Sequence, residues 1–380
     1  MPAVQACERL SHMARQLKAE TNSVLRACEV LRSFQSRGEA LRVRDIVRRT
    51  GLHKATVSRL LGLLAEGGMV QRTETRGYTS LVEMFAPSAF RVGYASQTEA
   101  SAFAQEVTAS IRQAADRARV QLVFADNRGS PMVALRNAEK LAKERVNLVI
   151  EFQTFDSVAP LISSKLQQAG IPMIAIDIPH PGAVYFGANN YEAGLIAGRA
   201  LGRWAAHHWN GDVEHVLLIE LGAAGRLPQL RLTGSLAGLR EILPVIPDDR
   251  VVRVEGADTL RHSIAAVRKF VRFVRPRNVL ITAINDTCAI GALRAFEEAG
   301  ISEQCAAVGH GAVRDARTEM RRQGSRLIGS VAFFPERYGA AVIKLATAML
   351  KNEAVPPAVF TAHRLITPEN VDRFYGNELD

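Results

Sequence analysis

Polar side chains recur at one place in a repeating pattern, directly after short apolar runs. RVGYA leads into Ser96, Gln97, Thr98 and Glu99, NLVIEF into Gln153 and Thr154, IPMIAI into Asp177, NVLITAI into Asn285 and Asp286, and CAAVG into His310. In open α/β sheets ligands bind outside the carboxyl ends of the strands, so these side chains are candidates for one shared site. Carboxylates, amides and a cation around a cleft suit a polyol, whose hydroxyls both donate and accept hydrogen bonds. Arg231, near the start of an expected helix at 231–242, is the natural cation. Each residue also has a structural alternative. Asp177 could cap a turn, Arg231 could sit in a surface ion pair, Asn285 could cap the helix TCAIGALRAF, and His310 could be a satisfied half-buried histidine.

A second group has a different chemistry. VRDIVRRTG followed by LHKATVSRLLGLLAEGG reads as a short helix, a glycine turn at Gly51 and a longer helix. The longer helix turns Val57, Leu60, Leu61 and Leu64 inward and Lys54, Thr56, Ser58 and Arg59 outward. Small hydroxyl side chains beside an arginine and a lysine suit phosphates and base edges in a major groove. Arg72 and Arg76 flank the tip of a hairpin in MVQRTETRGYTS, where a wing would touch the neighbouring backbone or minor groove. His53 fits a DNA contact and a helix cap equally well.

The elements that must position these groups follow from periodicity. Residues 4–18 carry Leu10, Met13 and Leu17 at helical spacing, and SVLRACEVLRSF sets Val24, Leu25, Cys28, Leu31 and Phe34 on one face of a helix. Residues 81–89 form a linker between a 1–80 DNA-binding domain and a 90–380 effector domain. Beyond the linker, ten short apolar runs alternate with amphipathic helices, which predicts parallel sheets with crossover helices. Ten strands are more than one open sheet holds comfortably, so two α/β lobes are expected.

Charge is uneven along the 380 residues. Residues 1–80 hold 14 Lys+Arg against 7 Asp+Glu, while the other 300 hold 34 against 31. The excess sits on the small N-terminal part and points to a polyanion partner for that part. The start MPAVQACERL lacks the features of a secretion signal, and no run of eighteen apolar residues follows, so a cytoplasmic protein with no membrane partner is expected. Cys7, Cys28, Cys288 and Cys305 form no C-x-x-C pair, and His207-His208 has no neighbours of metal-ligand type. With no P-loop, nucleophile elbow or metal cluster, neither catalysis nor a cofactor is expected. GLIAGRALG fits close helix packing better than a phosphate loop, and VRKFVRFVRPR reads as a surface helix whose cations lie over apolar neighbours.

VRDIVRRTGLHKATVSRLLGLLAEGGMVQR resembles the winged helix-turn-helix of the IclR family. IPMIAID with GANNYEAGLIAGRALG, then QLRLTGSLAGLR, AINDTCAIGALRAFEEAG and LIGSVAFFPERYG, resemble the type I periplasmic binding protein fold of sugar-binding transport proteins and LacI-family effector domains. The second resemblance implies that Asp177 accepts hydroxyl hydrogen bonds, Arg231 bridges to ring or hydroxyl oxygens, Asn285 completes the far lobe, and Gln97, Glu99 and Phe103 supply near-lobe contacts. Three positions depart from the sugar binders. VGHGA puts His310 and Gly311 where an acidic residue is common, Ile178 follows Asp177 in place of an arginine, and Phe333 replaces an amide. The combined expectation is an α/β protein that binds double-stranded operator DNA as a homodimer or higher even oligomer, under control of a small sugar-like effector. The alternative is a sugar-binding protein whose N-terminal domain makes protein contacts.

Overall fold

A computed structural model describes residues 23–34, 39–74, 77–82, 90–257 and 259–376. The expected helix at 4–18, Arg76 and most of the linker lie outside these residues. The chain divides into two compact units, Met1–Ala89 and Phe90–Asp380.

In the first unit, helix α1 (23–32) precedes β1 (Ala40–Leu41), α2 (Val43–Thr50), α3 (Lys54–Glu66), β2 (Val70–Arg72) and β3 (Tyr78–Ser80). The strands form an antiparallel sheet in the order β1-β3-β2. Gly51 ends α2 at φ 69°, a left-handed conformation that costs glycine little. His53 caps α3, its Nδ1 accepting from the Ala55 N–H at 3.3 Å. The core joins Val30, Leu31, Phe34, Leu41 and Ile46 to Val57, Leu60, Leu61, Leu64 and Val70. Val24 and Leu25, expected inward, are 64% and 57% exposed, because the α1 stripe that meets this core runs only from Ala27 to Phe34.

The second unit holds two six-stranded sheets. The first contains β4 (Arg91–Ser96), β5 (Gln121–Asp126), β6 (Leu148–Phe152), β7 (Met173–Ile176), β8 (Val184–Ala188) and β14 (Ala358–Thr361), in the order β14-β8-β7-β6-β4-β5. The second contains β9 (His215–Glu220), β10 (Val251–Glu255), β11 (Val279–Ala283), β12 (Cys305–Gly311), β13 (Leu327–Ala332) and β15 (Arg364–Ile366), in the order β10-β9-β11-β12-β13-β15. All pairings are parallel except β13 with β15. The chain passes between the sheets three times: after β8, after β13 and between β14 and β15. The ten expected strands are β4 to β13. β14 and β15 escaped sequence reading because AVFT and RLI are short, only partly buried and at sheet edges.

Helices α7 (Asn190–His208) and α8 (Arg226–Ile242) pack with their backbones in near contact. A Cβ on Gly194 or Gly198 would collide with the Arg231 or Ser235 carbonyl, and one on Gly234 or Gly238 with the Tyr191 or Leu195 carbonyl. Four glycines therefore set the register of α8 and with it the position of Arg231. The helix begins five residues earlier than expected, so Arg231 lies within it and not at its start. Pro228 falls in its first turn, where a missing N–H breaks no helical bond.

Candidate functional site

A cavity of about 110 Å³ opens between the carboxyl ends of the two sheets, lined by Gln97, Phe103, Gln153, Asp177, Arg231, Asn285 and His310 among others. Seven of the eight residues expected at an effector site thus converge. Glu99 does not. By Glu99 the chain has left β4 and turned to solvent ahead of Ser101, which caps α4 (Ala102–Ala118), and the carboxylate faces Arg112 at 3.9 Å.

Asp177 follows β7 in a left-handed conformation, φ 62°, which aspartate tolerates better than most residues. Its N–H donates to the Phe186 carbonyl at 2.9 Å, while its Oδ1 is buried with no hydrogen-bond partner among the described residues. Gly187 makes room, since a Cβ there would press on that oxygen. Burial pushes the carboxyl up to about 6, against the pull of Arg231 and the Ala188 backbone. Arg231 is only 9% exposed. Its Nε donates to Asn190 Oδ1 at 2.6 Å and its Nη1 to the Ile284 carbonyl at 2.9 Å, with the guanidinium 4.7 Å from the centre of the Phe333 ring. No carboxylate of the described residues pairs with it, so the surface ion pair is not what holds it. Asp177 and Arg231 thus line the cavity as a carboxylate and a cation that act on each other through their fields, without a direct ion pair among the described residues.

The other polar residues are more committed. Asn285 caps helix α10 (Asp286–Glu298), its Oδ1 accepting from the Cys288 N–H at 2.9 Å, and it lines the cavity as well. Gln153 closes on the Phe155 backbone, accepting from its N–H and donating to its carbonyl at 3.0 Å, which fixes the loop after β6. Gln97 donates to Thr154 Oγ1 at 2.5 Å, linking the β4 and β6 ends. Asp286 accepts from Ser330 Oγ at 2.5 Å and from the Val313 N–H at 2.9 Å, and burial raises it to about 6. His310 is buried, with Nδ1 2.8 Å from the Ala283 carbonyl. Burial first, and then Arg231, press it down to about 3, so the ring is neutral near pH 7.

Phe103 anchors an aromatic group, meeting Phe152, Phe333 and Tyr338 edge to face at 5.8–6.4 Å. Ile178, Leu221, Ala224, Pro228, Ile284 and Val313 add apolar side chains to the lining. Sequence reading passed over Leu221 and Ile284, although they follow β9 and β11, because it searched strand ends for polar side chains alone.

In the first unit, Lys54, Ser58 and Arg59 are exposed along α3, Thr56 is half-buried beside them, and Arg72 is exposed on β2 with its guanidinium 5.8 Å from the Tyr78 ring centre. Arg42, Arg44 and Arg48 on and before α2 add exposed cations that the motif reading did not single out. Arg49 has a structural task, donating to the Ser33 carbonyl at 2.7 Å and pairing with Glu39 at 2.8 Å. Among the described residues no group of His, Cys, Asp and Glu is placed to hold a metal, and no helix is long and apolar enough to cross a membrane.

Comparison with known proteins places both units. Residues 23–74 match the IclR helix-turn-helix domain, and residues 92–354 match the periplasmic binding protein domain. The ribose import binding protein RbsB of Escherichia coli is 26% identical over 250 residues, covering 63% of this chain and 78% of its own length. Its Salmonella typhimurium counterpart is 25% identical over 244 residues, with the same coverage. Among solved structures, a Mycobacterium smegmatis solute binding protein with bound glycerol has a TM-score of 0.66 at 20% identity, covering 75% of this chain and 96% of that one. An Actinobacillus succinogenes protein with bound D-allose has a TM-score of 0.64 at 16% identity, covering 74% and 99%. The chain belongs to the periplasmic binding protein domain family and carries an IclR-type helix-turn-helix ahead of that domain.

Proposed function

We propose that the chain is a sequence-specific DNA-binding transcription regulator whose affinity for its operator is controlled by a small polar, sugar-like effector. The carrying observation is the pairing, in one chain, of an exposed cationic helix with a cavity lined by a buried carboxylate, Asp177, and a buried guanidinium, Arg231. A polyol satisfies both, donating a hydroxyl hydrogen to the carboxylate and accepting N–H groups from the arginine. Lys54, Thr56, Ser58 and Arg59 read the major groove while Arg72 and Arg76 grip the backbone beside it. The regulator acts in the cytoplasm as a homodimer, since two half-sites add affinity and specificity to a small reading head. No reaction is assigned to it and no cofactor is required.

The test is selection of DNA from a randomised library by the full-length protein, followed by binding to the enriched fragment with and without sugars. The reading predicts sequence-dependent binding that one sugar shifts. Binding indifferent to sequence and to every sugar contradicts it.

A further inference from the structure

The cavity's polar and apolar sides differ in how much hydrogen-bonding capacity they retain. Ile178, Leu221, Ala224 and Ile284 line the cavity and belong to one buried apolar cluster that joins the loop after β7 to the loops after β9 and β11. Pro228 extends this wall from the first turn of α8. The wall presents no polar side chain, and the N–H groups of Ile178, Ala224 and Ile284 are already engaged. The Ile178 N–H donates to the Ile176 carbonyl at 2.7 Å, and the Ile178 carbonyl lies 2.9 Å from His180 Nδ1. The Ile284 N–H donates to the Ile219 carbonyl, and the Ile284 carbonyl accepts from Arg231. The Leu221 carbonyl accepts from the Ala224 N–H, and Pro228 has no N–H to give.

A hydroxyl held against these apolar side chains would lose its water and find no side-chain partner on the wall, which makes its burial unfavourable. A methyl or methylene there gains apolar contact and gives up nothing. We propose that the effector is a monosaccharide deoxygenated at one carbon. Its hydroxyls engage Asp177 and Arg231, and the deoxygenated carbon rests on the wall of Ile178, Leu221, Ala224, Pro228 and Ile284. This rests on the sugar-like effector of the preceding section and narrows it: the wall, and Ile178 above all, determines specificity.

The experiment is titration calorimetry of the full-length protein with matched pairs: D-ribose against 2-deoxy-D-ribose, D-glucose against 2-deoxy-D-glucose, L-galactose against L-fucose, and L-mannose against L-rhamnose. The expected result is a pair in which the deoxy sugar binds about 10- to 100-fold more tightly than its parent, the range set by leaving one hydroxyl unpaired. Ile178→Thr, which keeps the β-branched shape and adds a hydroxyl, should cut that ratio to about threefold or less, while Ile178→Val keeps it. Parents that bind as tightly as their deoxy partners, or more tightly, overturn the proposal and leave the sugar-like effector in place. Absence of heat from every sugar overturns the sugar-like effector itself, and the proposal with it.

Discussion

The two units carry positive charge in opposite ways. In the first, Lys54, Arg59 and Arg72 stand exposed on a convex helix and strand. In the second, the site's cation is Arg231, 9% exposed and held by Asn190, the Ile284 carbonyl and the Phe333 ring. An exposed cation keeps its hydration and acts through a screened field, so its effect is modest, shared among neighbours and dependent on salt. A buried cation has lost its hydration and works only where fixed geometry replaces it, so its effect is large, local and nearly independent of salt. On the proposed function, that contrast suits one unit to a long polyanion and the other to a small sugar-like molecule.

The largest effect expected from a single change falls on the buried side. Arg231→Ala removes the cavity's cation and leaves Asn190 Oδ1 and the Ile284 carbonyl short of a donor. Sugar affinity should drop by at least about 100-fold, with about 2–4 kcal/mol lost from the stability of this unit. Calorimetry and denaturant unfolding read the two. Arg231→Lys should not rescue binding, because an ammonium cannot reproduce the divided guanidinium contacts. DNA affinity of the sugar-free protein should stay unchanged, and a parallel loss there would break the contrast.

On the exposed side, Arg59→Ala should weaken binding to a selected DNA fragment by about tenfold and lower the slope of log affinity against log salt by up to about one. Sugar binding should be unaffected by the substitution and flat from 50 to 300 mM salt, on the order of a few-fold at most. A salt-insensitive DNA affinity would sink the electrostatic half of the comparison.

Smaller still is the pH response of the cavity. Asp177 accepts a sugar hydroxyl best as a carboxylate, and burial pushes its carboxyl up to about 6. Sugar affinity should therefore be full about a unit above that value, be halved near it, and fall by up to about tenfold per unit further below. Asp177→Asn should flatten that profile, and an unchanged profile would remove Asp177 from the site.

The smallest expected effect is on stability alone. Glu151 lies buried in β6, with Oε1 accepting from Asn127 at 2.8 Å and Oε2 without a partner among the described residues, and burial pushes it up to about 8. A carboxyl whose folded pKa exceeds its unfolded value binds more protons when folded, so its burden grows as pH rises from about 4.5 towards 8. Glu151→Gln should leave unfolding near pH 5 unchanged and stabilise the protein by on the order of 1–2 kcal/mol at pH 8.5. A gain at pH 5 equal to that at pH 8.5 would contradict this account.

Much of this was legible from pattern. Strand ends in the second unit could be read because parallel strands buried on both faces leave continuous apolar runs, and the polar residues after them mark the cleft. Asp177, Asn285 and His310, which line the cavity, are read in this way. Arg231 was recognised as the cation and misplaced at a helix start, since its position depends on the glycine contacts between α7 and α8, which no local window contains. Glu99 was drawn in by proximity to a strand end, although only the turn geometry decides whether such a carboxylate faces the cleft or Arg112. The apolar wall was invisible to a search for polar groups. Its chemistry lies in apolar side chains that three loops bring together, which no local window contains.

The most direct test of the central claim is the affinity of the full-length protein for its selected DNA fragment, measured at fixed salt with and without a saturating concentration of the sugar that calorimetry identifies. The account predicts a shift of about 5- to 150-fold in either direction, with the reciprocal shift in sugar affinity when DNA is bound. Equal DNA affinity in both conditions would contradict it, leaving two binding units that share a chain without controlling one another.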